Sequence, residues 1–255
     1  MGDTGDKVIL YAAQADAVLK AIERDGRCFS REEYVRRKYG ESGPIFLTVY
    51  KWFVKEAVKL VPRPEGAEFP YWSFMNLYSL DQSPGTRTLT LCVPRDEAVF
   101  FDMYDWNKIL CLKYLGEDEA DDRAFQAYLK QCGVREMDAV LTGFYPEMKQ
   151  KIMDSWPRLF RHHEQIRAGE KSGAKSVQAA LWQIKKEWIV PETQYTQNQE
   201  AGTGAEIRNK DKKKGRVSGI RFRPCPFSVF QRYADPPCNH PDSAHPLTPT
   251  VTRTS

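Results

Sequence analysis

Residues 88–93, Thr88-Leu89-Thr90-Leu91-Cys92-Val93, carry the pattern that decides the fold. Large aliphatic side chains alternate there with smaller or more polar ones, and a period of two residues is typical of a strand with one buried face. Ser83-Pro84-Gly85 supplies a turn before this segment, and Pro94-Arg95-Asp96 breaks the strand after it. The chain therefore contains a sheet.

Segments on both sides of this strand predict further strands. Residues 7–13 form a short apolar run with branched side chains, and residues 98–101 form another. Residues 69–78 are rich in Phe, Tyr and Trp, which strands favour. The sheet therefore has at least four predicted strands.

Helical spacing fills most of the remaining sequence. Gly26 is placed to close a helix over residues 15–24, and Asp102 is a suitable N-cap for a helix that carries Trp106. Apolar side chains also recur at three- and four-residue spacing in further segments, which predicts helices over residues 46–61, 120–131, 137–141 and 146–153. The predicted fold is α+β, a single domain with a small mixed sheet and several helices.

Residues 174–190 fit two kinds of secondary structure. Val177, Leu181, Ile184 and Trp188 share one helical stripe, whereas Val177, Ala179 and Leu181 also share one face of a strand. The periodicity alone favours a helix. The strand stays open as the alternative.

Charge divides the chain into a body and a tail. The 255 residues have a net charge of +4, but residues 1–195 have a net charge of −1 and residues 196–255 one of +5. Apolar content also falls sharply after Pro191, which is typical of a disordered segment. We expect a globular domain over residues 7–192 and a basic, disordered tail over residues 193–255.

The tail has a run of basic residues, from Lys210 to Arg223, that is interrupted by Phe222. Such a run can contact the phosphates of nucleic acid or an acidic partner, and salt then weakens the contact. The alternative is a solvated, self-repelling segment, which is favoured because no folded nucleic-acid module accompanies the run. Any contact with nucleic acid would be made through the tail only.

The N-terminal residues and the apolar runs predict a cytoplasmic protein. Residues 1–6 lack the basic and apolar regions of a secretory signal. The longest apolar run, residues 8–13, falls far short of the roughly 20 residues that cross a bilayer. No association with a membrane is expected, and the sequence leaves the oligomeric state open.

Two motifs invite a catalytic or metal-binding interpretation that their context does not support. Residues 118–121, Asp-Glu-Ala-Asp, match a magnesium-binding helicase motif, but no phosphate-binding loop precedes them, so they are interpreted as acids at a helix start. His162 and His163 point about 100° apart on a helix and cannot chelate one zinc ion as residues four apart can. They are predicted to lie on a solvated surface.

Core packing is the favoured interpretation of the aromatic residues, and a small-molecule pocket lined by some of them and by polar residues is the alternative. Most of the aromatic side chains must form the core, but some could line a pocket. The polar residues expected to converge on this pocket are Gln14, Asp102, Asp105, Gln178 and Gln183.

The order of several short motifs resembles the bacterial family catalogued as domain of unknown function 3841. The similarity covers about residues 7–192, departs at Gln183, where the family is expected to favour Glu, and has no counterpart to the tail. The motifs that carry it are residues 9–14 (Ile-Leu-Tyr-Ala-Ala-Gln), 50–52 (Tyr-Lys-Trp), 70–74 (Pro-Tyr-Trp-Ser-Phe), 101–106 (with Phe-Asp and Asp-Trp) and 178–183 (with Gln-Ala and Trp-Gln).

That family has no established activity, but its layout is similar to the split-sheet fold of ADP-ribosyltransferases. The likeness implies NAD as the cofactor and favours a strand over residues 178–184. It implies cofactor binding by Tyr11, Gln14, Trp72 and Gln178, and displacement at the ribose carbon that carries nicotinamide, with catalysis by Asp102, Asp105 and Gln183.

An amide at position 183 cannot supply negative charge or act as a base near neutral pH, so Asp102 or Asp105 has to provide the carboxylate. The competing hypothesis is a non-enzymatic binding module, in which an aromatic groove holds a small ligand or peptide and the tail acts as an electrostatic tether. Convergence of the predicted polar residues on one cleft favours the enzyme, and divergence favours the module.

Overall fold

A computed structural model describes residues 6–39, 43–80 and 84–191 of the chain. The predicted tail and its expected contacts with nucleic acid lie outside these residues. Most of the predicted strands and helices are found within them, and the α+β class is confirmed.

Five strands form the main sheet, and each neighbouring pair in it is antiparallel. The sheet is therefore antiparallel throughout, whereas the sequence predicted a mixed one. From edge to edge its strands are β4 (Thr86–Pro94), β1 (Lys7–Ala15), β3 (Tyr71–Phe74), β6 (Val177–Leu181) and β5 (Ala98–Asp102). A second sheet pairs β2 (Arg27–Phe29) with β7 (Gln183–Lys185).

The alternating residues 88–93 lie in β4, at one edge of the main sheet. β4 pairs with β1 along its whole length, from Pro94 opposite Lys7 to Thr86 opposite Ala15. The aliphatic residues of β4 are buried, whereas Thr88 is exposed. The period of two residues was readable because this strand buries only one of its faces.

The helix that periodicity favoured over residues 174–190 is absent, and the strand alternative is correct. The apparent helical stripe runs through β6, β7 and a 3-10 turn over Lys186–Trp188. β6 lies inside the sheet between β3 and β5, and Ala179, Ala180 and Leu181 are all buried. A strand that is covered on both faces need not alternate, so its sequence does not show the period of a strand.

Eight α-helices lie within the described residues, and several begin or end at the residues that the sequence indicated. Gly26 closes the first helix in the left-handed conformation with φ 75°, and Asp118 caps the fifth helix through the amides of Ala120 and Asp121. The helices are α1 (Asp16–Asp25), α2 (Glu32–Tyr39), α3 (Gly43–Ala57), α4 (Met103–Leu110), α5 (Glu119–Cys132), α6 (Glu136–Leu141), α7 (Pro146–Ser155) and α8 (His163–Arg167).

Hydrophobic clusters cover both faces of the sheet. On one face the rings of α3, α4 and β3 pack together, with Phe53 and Trp106 in contact at a centroid distance of 5.2 Å. On the other face α1, α8 and β7 cover β1, β4 and β6, through side chains such as Ile22, Ile166 and Ile184. The sheet is thus the middle layer of the domain, so clefts open at the strand ends and between helices.

His163 is buried, which contradicts its predicted place on a solvated surface. Its Nδ1 accepts a hydrogen bond of 3.1 Å from the Phe100 amide of β5, and its side chain is only 1% exposed. Burial lowers the pKa of this imidazole, as does Arg167, although Glu164 opposes them. Adjacent histidines do point apart on a helix, and the second of them points into the core.

We expect the buried His163 to make the folded state less stable in mild acid. Its pKa is lower in the folded state than the value of about 6.5 in the unfolded chain, so the unfolded state binds a proton first as the pH falls. The stability is complete above pH 6.5 and decreases below it, by up to about 1.4 kcal/mol per pH unit until the folded-state pKa is reached. Urea unfolding at pH 7.5 and pH 5.5 measures this loss.

His163→Asn keeps an acceptor for the Phe100 amide but removes the titrating ring, so its unfolding free energy should change less between the two pH values. His162→Asn is the matched control, because His162 is only partly buried. An equal pH dependence in the wild type and in His163→Asn would assign the acid sensitivity to other groups.

Candidate functional site

A cleft of about 340 Å³ opens at the end of the sheet where β6 ends and β5 begins. Its walls come from three separate parts of the chain: the loop 61–64 after α3, Asp96 and Glu97 before β5, and Trp182 with Gln183 after β6. We call it the Gln183 cleft. Its volume is at the lower end of the range of about 300–1,000 Å³ that is usual for small-molecule sites.

Local sequence explains why the three walls meet. Pro62 and Pro64 prevent α3 from continuing, and the Trp182 indole Nε1 donates a hydrogen bond of 3.0 Å to the Val61 carbonyl, which holds the loop. Glu97 ends a 3-10 turn directly before β5, whose first residue pairs with the last residue of β6. The end of the sheet therefore fixes the relative positions of Glu97 and Gln183.

The polar groups of the cleft are only partly satisfied. Lys185 Nζ donates to Glu97 Oε1 at 2.6 Å, and Gln183 Nε2 donates to Glu97 Oε2 at 3.4 Å, which is long for a hydrogen bond. Gln183 is only 7% exposed, and its Oε1 has no hydrogen-bond partner among the described residues. A buried acceptor without a donor costs about 1–3 kcal/mol, so a ligand N–H at this position would be stabilising.

The charges at the cleft favour a ligand that carries hydrogen-bond donors. Asp96 and Glu97 supply two carboxylates, of which the Glu97 group is already paired with Lys185. Arg63 is exposed in the opposite wall, and among the described residues no carboxylate forms an ion pair with it. The cleft thus combines an acceptor amide, acidic groups and a cation at its mouth.

A wider cleft of about 630 Å³ lies beside α7, but its buried polar groups are already bonded. Ser155 Oγ donates to the Ile152 carbonyl and accepts from the Leu115 amide, and Arg158 donates to the Leu115 carbonyl and to Glu117. Burial raises the pKa of the Tyr114 hydroxyl, which donates to Asp121 at 2.9 Å. These bonds stabilise the fold, so the Gln183 cleft is the better candidate for a small ligand.

The four residues expected to bind a cofactor do not meet. Tyr11, Trp72 and Gln178 project from the same face of the sheet, because Phe74 pairs with both Tyr11 and Gln178. Gln14 is three residues from Tyr11 on β1, so it projects from the opposite face, where its buried amide has no partner among the described residues. Trp72 packs in the ring cluster and is 3% exposed, which leaves little surface for a ligand.

The two acids expected to be catalytic hold the fold together at the other end of β5. Asp102 caps α4 by accepting from the Tyr104 amide at 2.7 Å, and its second oxygen accepts from the Lys175 amide at 2.5 Å. Asp105 forms an ion pair of 2.6 Å with Arg161. Five residues of extended chain, roughly 16 Å at about 3.3 Å per residue, separate Asp102 from Glu97.

Of the predicted catalytic residues, Gln183 lines one of these two clefts, and Asp102 and Asp105 line neither. The carboxylate beside Gln183 is one that the sequence did not single out. Glu97 follows the break at residues 94–96 and directly precedes a buried strand. Side chains at strand ends often carry function, so this position was a readable signal. Arg63 was not identified either, and its place between two prolines gave no indication of a site.

Two general features of the described residues bear on partners. No three His, Cys, Asp or Glu side chains in this part of the chain lie close enough to hold a metal ion. A search of the same residues for a helix with the length and hydropathy needed to cross a bilayer also finds none.

The fold and its cleft define an α+β domain with an antiparallel sheet between two helical layers. The chain belongs to the family described as "Domain of unknown function (DUF3841)", whose model matches residues 9–190. This match confirms the family resemblance inferred from the motifs. No curated protein and no solved structure matches the chain. The similarity to ADP-ribosyltransferases stays a hypothesis.

Proposed function

We propose that this domain is a binding module for a small ligand with N–H donors, which it holds in the Gln183 cleft. The observation that carries the proposal is the buried Gln183 Oε1, which has no donor among the residues that the structure describes, beside the carboxylate of Glu97. Burying an unpaired acceptor lowers stability, and a donor from a ligand would remove that cost. The long bond from Gln183 to Glu97 is also weak enough to exchange for a ligand contact.

NAD is the first ligand to test. Its nicotinamide ring is a cation with a carboxamide, so the N–H groups of the carboxamide suit Gln183 Oε1 and the ring charge suits Glu97. The cleft has room for the nicotinamide end, while the remainder of the dinucleotide would lie outside it near Arg63, which can pair with phosphate. Binding without turnover is favoured because Asp102 and Asp105 are bonded elsewhere in the fold.

The test is a thermal unfolding series on the full chain with NAD and with nicotinamide. At ten times the dissociation constant a ligand stabilises the folded state by RT ln 11, about 1.4 kcal/mol. For a domain of this size we expect the melting temperature to rise by about 3–6 °C. Gln183→Leu removes the acceptor at similar size and should abolish the rise.

Gln178→Leu is the matched control, because Gln178 is another buried glutamine of the same region that lies away from the cleft. It should keep the full response to NAD. Equal shifts in wild-type protein and Gln183→Leu would reject this site for the ligand. If the wild-type protein released nicotinamide from NAD and Glu97→Gln did not, the domain would be an NAD-cleaving transferase and not a binding module.

A further inference from the structure

Two hydrogen-bond acceptors lie side by side in the Gln183 cleft. One is Gln183 Oε1, which has no donor within the described part of the chain. The other is Glu97 Oε2, which receives the long bond of 3.4 Å from Gln183 Nε2. The nitrogen and the oxygen of one amide are about 2.3 Å apart, so these two acceptors lie within roughly 6 Å of each other. A single –NH2 group, whose two N–H bonds diverge, can therefore donate to both.

The other oxygen of Glu97 is held by Lys185. Lys185 Nζ donates to Glu97 Oε1 at 2.6 Å, and the two side chains are 23% and 34% exposed. Lys185 is two residues from Gln183 on β7, so both side chains project from the same face of this strand and reach the same carboxylate. Lys185 does not itself line the cleft, so it acts on a ligand through Glu97.

An aromatic ring also contacts the ammonium group of Lys185. Its Nζ lies 4.9 Å from the centre of the Trp188 ring, which is within the range of a cation–π contact. Trp188 ends the 3-10 turn that follows β7, and its side chain is buried in the hydrophobic cluster on that face of the main sheet. Two contacts therefore hold the Lys185 charge beside Glu97.

Lys185 offsets the negative charge that the cleft offers to a ligand. The walls carry two acids, Asp96 and Glu97, and one base, Arg63, which gives a net charge of −1. With Lys185 behind Glu97 the sum is zero. Charges that are partly shielded from water interact more strongly than charges in solvent, so this compensation affects a bound ligand. Glu97 keeps its capacity to accept a hydrogen bond, while its attraction for a cation is reduced.

We infer that Lys185 determines the class of ligand that the cleft takes, namely a neutral molecule with a carboxamide or another –NH2 group rather than a cation. This inference rests on the function proposed above. Lys185 is a positioning residue, because it holds one oxygen of Glu97 and leaves the other beside Gln183. Without Lys185 the charge of Glu97 is uncompensated, and a cationic ligand gains affinity. For NAD, the carboxamide then contributes more to recognition than the ring charge does.

Two ligands with the same carboxamide test the inference: nicotinamide, which is neutral, and 1-methylnicotinamide, whose ring is a cation. Isothermal titration of the full chain gives both dissociation constants, and we expect the wild type to bind nicotinamide more tightly. Lys185→Met keeps most of the side-chain length but removes the charge. It should shift the ratio of the two constants towards the cation about sixfold at low ionic strength, the effect of unit charges about 8 Å apart at an effective dielectric constant of about 40.

Two further variants are the controls. Lys185→Arg keeps the charge and a donor to Glu97, so it should keep the wild-type ratio. Lys186→Met removes the same charge from the next residue, whose side chain is exposed, and should also keep this ratio. A loss of stability in Lys185→Met would weaken both ligands alike, so the ratio reports the charge and not the fold.

The results that would overturn this inference differ from those that would overturn the proposed function. Tighter binding of 1-methylnicotinamide by the wild type, an unchanged ratio in Lys185→Met or an equal shift in Lys186→Met would contradict the role of Lys185, although nicotinamide still bound in the cleft. If the wild type bound neither ligand, or if Gln183→Leu bound both as tightly as the wild type, the function proposed for the cleft would be wrong and this inference with it.

Discussion

Trp72→Ala should lower the free energy of unfolding by about 3–5 kcal/mol, the usual cost of truncating a buried aromatic side chain. Trp72 lies within 6.1 Å, centre to centre, of four rings, those of Tyr50, Phe53, Phe101 and Trp106. Alanine leaves a cavity among them that the sheet below and α3 above cannot close without moving. Urea unfolding of the full chain, followed by circular dichroism, measures the loss.

Tyr78→Ala is the control for this substitution, because the Tyr78 side chain is 82% exposed and should change the stability by less than about 0.5 kcal/mol. The likeness to the transferases implied that Trp72 binds the cofactor. A stable Trp72→Ala variant that no longer binds its ligand would restore that role and contradict the core position.

Asp102→Ala should lower the free energy of unfolding by about 2–4 kcal/mol. Loss of the cap on α4 costs about 1 kcal/mol, and the Lys175 amide, left without its acceptor, adds about 1–3 kcal/mol. The bond from Lys175 ties the end of β5 to the chain before β6, and the bond from Tyr104 fixes the start of α4, so the loss affects the β5 edge of the sheet. Urea unfolding again provides the measurement.

Asp16→Ala is the matched control, since Asp16 also lies at a helix start but is exposed and pairs only with the exposed Arg87. It should cost less than about 1 kcal/mol. If Asp102→Ala kept wild-type stability while an NAD-dependent activity disappeared, Asp102 would be a catalytic residue, as the likeness to the transferases implied.

The parts of the fold that the sequence predicted are those with a one-sided environment or a local stop signal. β4 alternates because one face is exposed, Gly26 ends α1 because it adopts a positive φ, and Asp102 caps α4 through its own side chain. The strand β6 was not predicted from periodicity because both of its faces are buried. The burial of His163 was not predicted because a short helix can bury one side chain beside a partly exposed neighbour.

The candidate site was less predictable, because it forms between distant parts of the chain. Residue type indicated which polar side chains could bind a ligand, but strand direction and pairing determine where each side chain projects. Gln14 and Tyr11 lie on opposite faces, and Asp102 lies at the far end of β5 from Glu97. Only the register of the strands places Gln183 beside Glu97, and no local pattern carries that information.

The position of β6 also determines when the domain can fold during synthesis. β6 is the last strand of the main sheet to be translated, yet it lies between β3 and β5, which cannot pair with each other across the gap. A nascent chain that ends before residue 177 exposes two unpaired strand edges and their apolar faces, the features that recruit chaperones. The main sheet therefore cannot close until nearly the whole domain has left the ribosome, and a chain truncated before residue 177 lacks the strand that joins β3 to β5.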